Sequence, residues 1–424
     1  MKILIVGGGG REHALAWRLA QSASVERLFA IPGNPGIANL AECIACEDST
    51  PEALLAAAEA IGADLTVVGP EAPLVAGVVD RFRAANRAIV GPSADAARLE
   101  GSKVFAKTFF RRNHIPTAEF EVVGDAASAR RAFDRFGLPV VIKTDGLAAG
   151  KGVIVARERA EADRAYETLG PKVVIEEFLE GEEVSFIALC DGKNAIPFVP
   201  SQDHKAVFDG DLGPNTGGMG AYCDARILSP DQTRKILDTI ILPTVLATRF
   251  TGFLYAGLMM TRSGPRVLEF NVRLGDPETQ PLMHSLDCDF AEILAAAARG
   301  DASSCVLKHS PQPAICVVLA SGGYPGAYPT GLPISGIPEA EAAGVTVFHA
   351  GTCVGLSGLE TAGGRVLGVT ASGENLHSAM SNVYAGVSKI RFAGMHHRTD
   401  IGRRGLCRYN SGDTIQVRAR SSDG

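Results

Sequence analysis

In the second half of the chain the residues read Val267-Leu-Glu269-Phe-Asn271-Val-Arg273. Polar and apolar side chains alternate. The stretch is therefore predicted as a strand with Glu269, Asn271 and Arg273 on one face and Leu268, Phe270 and Val272 on the other. A carboxylate beside an amide oxygen makes a pair of hard ligands suited to Mg²⁺, or Mn²⁺, carrying nucleotide phosphates. The neighbouring guanidinium can stabilise charge building on a phosphoryl group in transfer. An isolated E-x-N-x-R strand is more often a plain solvated face. Here Gly275-Asp-Pro-Glu-Thr-Gln280 follows at once and adds a loop of ligating groups, which favours a site.

Three glycine-rich loops extend this chemistry. Lys143-Thr-Asp-Gly146-Leu147-Ala-Ala-Gly150-Lys151-Gly152 is not a Walker A loop, because Gly146 stands one residue too close and Gly152 replaces the Ser or Thr that holds magnesium. Between two antiparallel strands it can instead fold over a triphosphate, with Lys151 and its amides inward and Lys143 on the strand before it near the phosphates. Gly7 to Gly10 lies between a strand and a helix, a natural seat for phosphate. Its dinucleotide fingerprint fails: Glu12 and His13 take the third-glycine positions, and the second strand ends in Ile31-Pro-Gly-Asn34 rather than an acid for a ribose. A tight turn with no ligand remains the alternative. The third loop, Gly213-Pro214-Asn215-Thr216-Gly217-Gly218-Met219-Gly220, follows Gln202-Asp203-His204-Lys205. So glycine-rich a loop is not core material. Asp203 can hold a substrate ammonium and Lys205 can neutralise phosphate.

These residues need elements to position them. Strands are predicted at 2–6, Arg27–Ile31, Asp64–Gly69 and Arg87–Gly91, alternating with helices such as Arg11–Gln21 and Pro51–Ala60. That alternation indicates a doubly wound parallel sheet over residues 1–101. Ser102 is expected to cap a helix from Lys103 to about Asn113, which Ile115-Pro116 ends. Residues 102–300 are read as a two-lobed α+β domain with its small lobe at about 115–190. The polar stretch 301–313 suits a junction, a β-rich domain follows over 314–406, and residues 407–424 are expected to form a mobile tail.

The bulk numbers exclude several classes. The 424 residues exceed one ordinary core, and 46% hydrophobic with 21% charged residues is normal for a globular protein. A net charge of −6 with dispersed basic residues argues against nucleic acid or a membrane surface as partner. No apolar run approaches the ~18 residues needed to span a bilayer, and the N-terminus lacks a secretory pattern, so a cytoplasmic location is expected. The nine scattered cysteines do not read as a disulfide framework, and the lone pair Cys43 and Cys46 has no second pair to complete a zinc ribbon.

Glu176-Glu177-Phe178-Leu179, then Glu183, then the Glu269–Arg273 strand, resembles the ATP-grasp superfamily. The resemblance implies ATP held between two lobes, with the 176–179 backbone at the adenine, Glu183 on the ribose, Lys103 and Lys143 on phosphates, residues 146–152 closing over them, and Glu269 and Asn271 on the metal. Within that superfamily, a longer set is similar to the phosphoribosylamine–glycine ligase family: Gly9-Gly10-Arg11-Glu12-His13, Pro32-Gly33-Asn34, Gly69-Pro70-Glu71, Leu99-Glu-Gly-Ser-Lys103, Asp145 to Gly152, Ser201 to Lys205, Pro214 to Gly220 and Gly275 to Gln280. It runs from residue 1 to about 402. It implies a monomer or weak dimer that makes a carbon–nitrogen bond in purine biosynthesis, with glycine and 5-phosphoribosylamine as partners, through a glycyl phosphate. Gly9, Gly10, Gly33, Asn34 and Glu71 would hold the ribose phosphate; Pro214 to Met219 would line the substrate side; Arg273, Lys143, Asp203 and Lys205 would carry catalysis. Two stretches, Tyr166 to Val173 and Val245 to Thr251, are shorter than the family pattern.

Overall fold

The computed structural model describes residues 1–46, 48–146 and 152–411. The N-terminal sheet is parallel and five-stranded, in the spatial order Glu42–Cys43, Arg27–Pro32, Lys2–Gly7, Leu65–Val68, Ile89–Val90. Sequence order reverses between Lys2–Gly7 and Leu65–Val68. The loops leaving those two strands, Gly7 to Gly10 and Gly69 to Glu71, therefore flank the crevice where such sheets take ligands. The two-residue edge strand Glu42–Cys43 was not foreseen, being too short to show a period.

Ser102 caps the helix Lys103–Arg112, its Oγ accepting from the Phe105 amide at 3.1 Å. A four-stranded antiparallel sheet follows, ordered Phe120–Val123, Val173–Glu177, Val140–Thr144, Val153–Ala156. Helices Ala126–Phe136 and Arg159–Leu169 pack on it around a core of its own that includes Phe133, Ile142 and Ile175. This small lobe ends earlier than the expected boundary near 190. Glu182–Asp191 instead pairs along its whole length with Thr251–Thr261, because a buried ten-residue strand must satisfy its ladder from the larger sheet.

That larger sheet has nine strands and crosses the expected junction: Gly220–Cys223 pairs with Ala314–Ala320, which pairs with Arg365–Ser372. The C-terminal strands thus extend the sheet of the central region. In the two stretches expected to be short, the helices are closed by Gly170 after Leu169 and by Arg249 in the left-handed conformation (φ 50°) after Thr248. Residues 407–411 do not form the tail expected of them. Leu406–Ser411 is a helix, with Arg408 buried, while 412–424 lie outside the described residues. Among the described residues no helix is long and apolar enough to cross a membrane.

Candidate active site

The predicted metal strand exists as Gly264–Asn271, but its alternation is interrupted. Gly257 faces Glu269 and Leu258 faces Val267, so Leu268 is an extra residue in a bulge. Val267, Phe270 and Val272 are therefore the buried residues, and Leu268 is only half-buried, a departure from the expected inward set. The bulge has a use. It offers the Leu268 carbonyl to Lys143 Nζ, 3.0 Å away, so a lysine from the small lobe reaches the strand beside Glu269.

Lys143 is one arm of a buried charge cluster. Glu176, 2% exposed, lies between Lys107 Nζ at 2.8 Å and Lys143 Nζ at 3.1 Å. The second contact is off the line of a good hydrogen bond, which leaves Glu176 Oε1 an incompletely satisfied acceptor. Burial pushes the Glu176 carboxyl up, but the two lysines together hold it below its ordinary range. Burial drives Lys107 down to about 8 against the pull of Glu176. Lys107 was missed because a lysine inside a helix normally points to solvent. Its only sequence signal is its place one turn after Lys103.

Lys103 Nζ donates to the Gly146 carbonyl at 2.9 Å, and its pKa is lowered, chiefly by burial. Asp145 accepts from Ser102 Oγ at 2.9 Å and from the Val104 amide at 3.2 Å, which ties the entrance of the glycine loop to the helix. Leu147, Gly150 and Lys151 lie outside the described residues. Gly152 is described; its carbonyl accepts from the Thr144 amide at 2.9 Å. Glu177 Oε1 accepts from the Glu119 amide at 2.9 Å, so its side chain serves the sheet edge, and Phe178 and Leu179 are half-buried in the connection to Glu182.

On the larger sheet Glu183 pairs with Lys205 Nζ at 2.8 Å, which holds the Glu183 carboxyl low. Burial pushes Asp203 up to about 7; Lys205 opposes this, and Glu278, Glu183 and Glu269 add to it. Glu278, absent from the predicted set, is 2% exposed and accepts from Ser185 Oγ at 3.0 Å. Glu278, Glu183 and Glu269 thus lie near enough to Asp203 to act on its charge. Among the described residues no three acid, His or Cys side chains are grouped to hold a metal by themselves. An ion here would rest on Glu269, Asn271 and the nucleotide's own oxygens, and the crowd of acids fits such a cation.

Arg273 is placed differently from its expected role. Its guanidinium contacts Glu100 at 2.9 Å, Glu71 at 3.3 Å and Asn271 Oδ1 at 3.2 Å. Burial opposes its charge, but Glu100 and Glu71 outweigh it and raise the pKa further. Arg273 therefore clamps the N-terminal domain to the Gly264–Asn271 strand instead of presenting an uncommitted charge to a phosphoryl group. Asn271 would have to use its second lone pair to meet a metal. Glu71 is pushed up by burial and brought below its ordinary range by Arg273, its own backbone amide and Arg11.

The first glycine loop is not an open anion seat. Glu12 Oε2 already accepts from the Gly9 amide at 2.6 Å, and Glu12 Oε1 accepts from Arg11 Nε at 2.6 Å. A Cβ at Gly7 would stand 2.6 Å from Glu12 Cγ, and one at Gly69 would overlap its carboxylate. The glycines make room for this acid. Gly9-x-x-Glu12 has the spacing of a capping box, the signal that could have revealed it. Asn34 is likewise occupied: its amide donates to the Gly8 and His349 carbonyls at 2.9 Å each and accepts from Ile37. Gly33, at φ +75°, lets the chain pass against Cys43.

Tertiary structure brings the remaining loops together. A Cβ on Gly10 would lie 2.7 Å from Gln280 Nε2. Arg365, from the C-terminal region, donates to the carbonyls of Gly217 and Asp276 at 2.6 Å each and to Asp276 Oδ2 at 3.0 Å. Gly218 packs so closely on Pro277 that a Cβ would overlap it. Pro214 and Asn215 are exposed, and Thr216 Oγ1 donates to the Lys205 carbonyl at 2.8 Å. Met219 is fully buried, its side chain part of a core with Val207 and Ala320.

Comparison with known proteins matches three parts of the chain to models described as phosphoribosylglycinamide synthetase: the N domain at residues 1–100, the ATP-grasp (A) domain at 101–279 and the C domain at 314–404. The phosphoribosylamine–glycine ligase of Xanthomonas axonopodis pv. citri is 48% identical across 96% of this chain and 99% of its own. That of Pseudomonas aeruginosa is also 48% identical, over 96% and 99%. The crystal structure of the Thermotoga maritima phosphoribosylamine–glycine ligase superposes with a TM-score of 0.84 at 34% identity, covering 95% of this chain and 100% of that one. The Campylobacter jejuni biotin carboxylase in complex with β,γ-ATP shares the fold at a TM-score of 0.72 and 15% identity, covering 98% and 97%.

Proposed function

The chain belongs to the phosphoribosylglycinamide synthetase family, and from that premise we propose that it is an ATP-dependent ligase joining glycine to 5-phosphoribosylamine in purine biosynthesis. A carboxylate is a poor acyl donor because its leaving group would be oxide. Transfer of the γ-phosphoryl of ATP to glycine's carboxylate gives glycyl phosphate and ADP. The amine of phosphoribosylamine then attacks the acyl carbon, losing a proton and expelling phosphate, and glycinamide ribonucleotide results. No protein nucleophile is needed; catalysis is positioning, charge neutralisation and exclusion of water.

The observation that carries this reading is the reach of Lys143 from the small lobe to the Leu268 carbonyl, beside Glu269. A cation from one lobe thus lies against the carboxylate strand of the other, which supports the reading that a nucleotide's phosphates lie between them. In our reading Lys103 and Lys143 meet the phosphates, the 176–179 backbone the adenine and Glu183 the ribose. Asp203 holds the substrate ammonium, Lys205 neutralises phosphate, and Gly9, Gly10, Gly33 and Glu71 bound the ribose-phosphate crevice. Mg²⁺, with Mn²⁺ as alternative, supplies charge neutralisation on the phosphate oxygens when held by Glu269 and Asn271. Residues 1–101 act as the substrate domain and 102–300 as the ATP-grasp domain, with 314–406 as the C-terminal β-rich domain, in a cytoplasmic monomer or weak dimer.

The test is ADP formation that requires both glycine and the amine. Glu269→Ala is expected to abolish it while circular dichroism and the unfolding midpoint stay near those of the parent chain. Near-normal turnover of that variant with Mg²⁺ would count against the assignment. Glycine labelled with ¹⁸O in its carboxylate should pass label to the released phosphate, and unlabelled phosphate would exclude the acyl phosphate.

A further inference from the structure

The family's C-domain match stops at residue 404, and the helix Leu406–Ser411 lies beyond it. Arg408 on this helix is 5% exposed, although an arginine near a chain end would ordinarily reach solvent. Its Nη1 donates to Tyr222 Oη at 2.7 Å and to Gln202 Oε1 at 3.3 Å, and its Nη2 pairs with Glu182. Tyr222 in turn donates to Gln202 Oε1. Gln202 Nε2 donates to Glu182 Oε1 at 2.9 Å and to the Glu183 carbonyl at 2.7 Å.

Two strands are joined by this network at the points where they carry site residues. Glu182 opens the strand that bears Glu183, and Gln202 immediately precedes Asp203 in the strand leading to Lys205. These strands share only one ladder pair, Ser185 with Ser201, so the backbone alone holds them weakly in register. Beside the bond from Ser201 Oγ to the Ser185 carbonyl at 3.4 Å, the Arg408–Gln202 network supplies a further tie, close to the Glu183–Lys205 pair. A short anchor fixes the helix itself. Tyr409 Oη donates to Asp224 Oδ2 at 2.6 Å, Arg226 lies 4.2 Å over the Tyr409 ring, and Gly405 passes Tyr222 where a Cβ would stand 2.8 Å from its hydroxyl.

We propose that Arg408 is a positioning residue, a latch from the C-terminal helix that sets the spacing of Glu183 and Lys205 for the nucleotide's ribose. The inference rests on the reading above that Glu183 meets the ribose. Arg408→Met keeps the length of the stem and removes every hydrogen bond. Losing a charged, buried set of bonds should raise KM for ATP about ten-fold or more, with a smaller fall in kcat. Arg408→Lys, which can still meet Glu182, should recover part of the loss. Isothermal titration with ADP should report the same weakening.

Glu183→Gln serves as the reference. If it raises KM for ATP and Arg408→Met does not, the latch is wrong and the ribose assignment stands. If neither moves KM, the ribose assignment itself fails. A fall in the unfolding midpoint of Arg408→Met with unchanged KM and ADP affinity would make the residue structural only and overturn the proposal. Should Arg408→Met not fold, Glu182→Gln removes the charge from the other end and must show the same shift in KM.

Discussion

Replacing Lys107 by Met tests the charge cluster that holds the small lobe to the rest of the site. Its Nζ lies 2.8 Å from Glu176 Oε2 and 2.7 Å from Thr117 Oγ1, with side chains 3% and 2% exposed at the ion pair. Two effects oppose each other. Burial already costs Lys107 part of its charge, since its pKa falls from 10.5 to about 8, so removing it relieves a penalty. Against that, Glu176 stays buried and keeps only the off-line contact to Lys143. The second effect should win, because removing one partner of a buried pair, with the relief at that partner included, typically costs about 3–5 kcal/mol, and the Lys143 ammonium left at 3.1 Å from Glu176 reduces this to roughly 2–4 kcal/mol. Native-state hydrogen exchange over Val173–Glu177 reports the opening of this lobe, and a loss of about 3 kcal/mol corresponds to roughly 100-fold faster exchange. Lys107→Met with Glu176→Gln should recover most of the loss, because a buried pair replaced whole is often near neutral. The pair should therefore show a coupling of about 2 kcal/mol in a double-mutant cycle. A loss under about 1 kcal/mol, or additive single effects, would refute the reasoning.

Acid should destabilise the protein well above the carboxylate range. Burial holds His13 and His204 at about 3 and His309 and His349 at about 4, against 6.5 when unfolded. Their folded pKa values are depressed, so the unfolded chain takes up protons first. The stability they contribute is complete above about pH 6.5 and drains as pH falls toward 4 to 3, by about 1.4 kcal/mol per pH unit for each group. Urea midpoints at pH 7 and pH 5 check this, and equal midpoints would show that these rings are not buried neutral. Gly218→Ala adds a Cβ at φ +114° against Pro277, and should cost about 2 kcal/mol or more and depress turnover by parting the 213–220 and 275–280 loops. A thermal-shift measurement together with the ADP assay reads both, and a tolerated alanine would disprove the close approach.

Much of the site's inventory was legible in the chain because it is local. Alternation marks Glu269 and Asn271 as one strand's polar edge, the run from Lys143 to Gly152 marks a strand and its loop, and Ser102 marks a helix start. Each of these is written within a few residues, where backbone period and turn chemistry act. The parallel N-terminal sheet was legible for the same reason, its strands and helices alternating in plain order.

What only the tertiary structure decided is which charges meet. Arg273 reads as available for a phosphoryl group until Glu71 and Glu100, some 202 and 173 residues earlier, close on it. Gly7 to Gly10 reads as a phosphate seat until Glu12 folds back onto the Gly9 amide. Arg365 and Arg408 carry no local mark, and Lys107 and Glu278 only a faint one, because their significance comes from burial beside groups distant in sequence. Desolvation and Coulomb attraction depend on distance in space and on the exclusion of water. Neither quantity exists along a chain until it is folded.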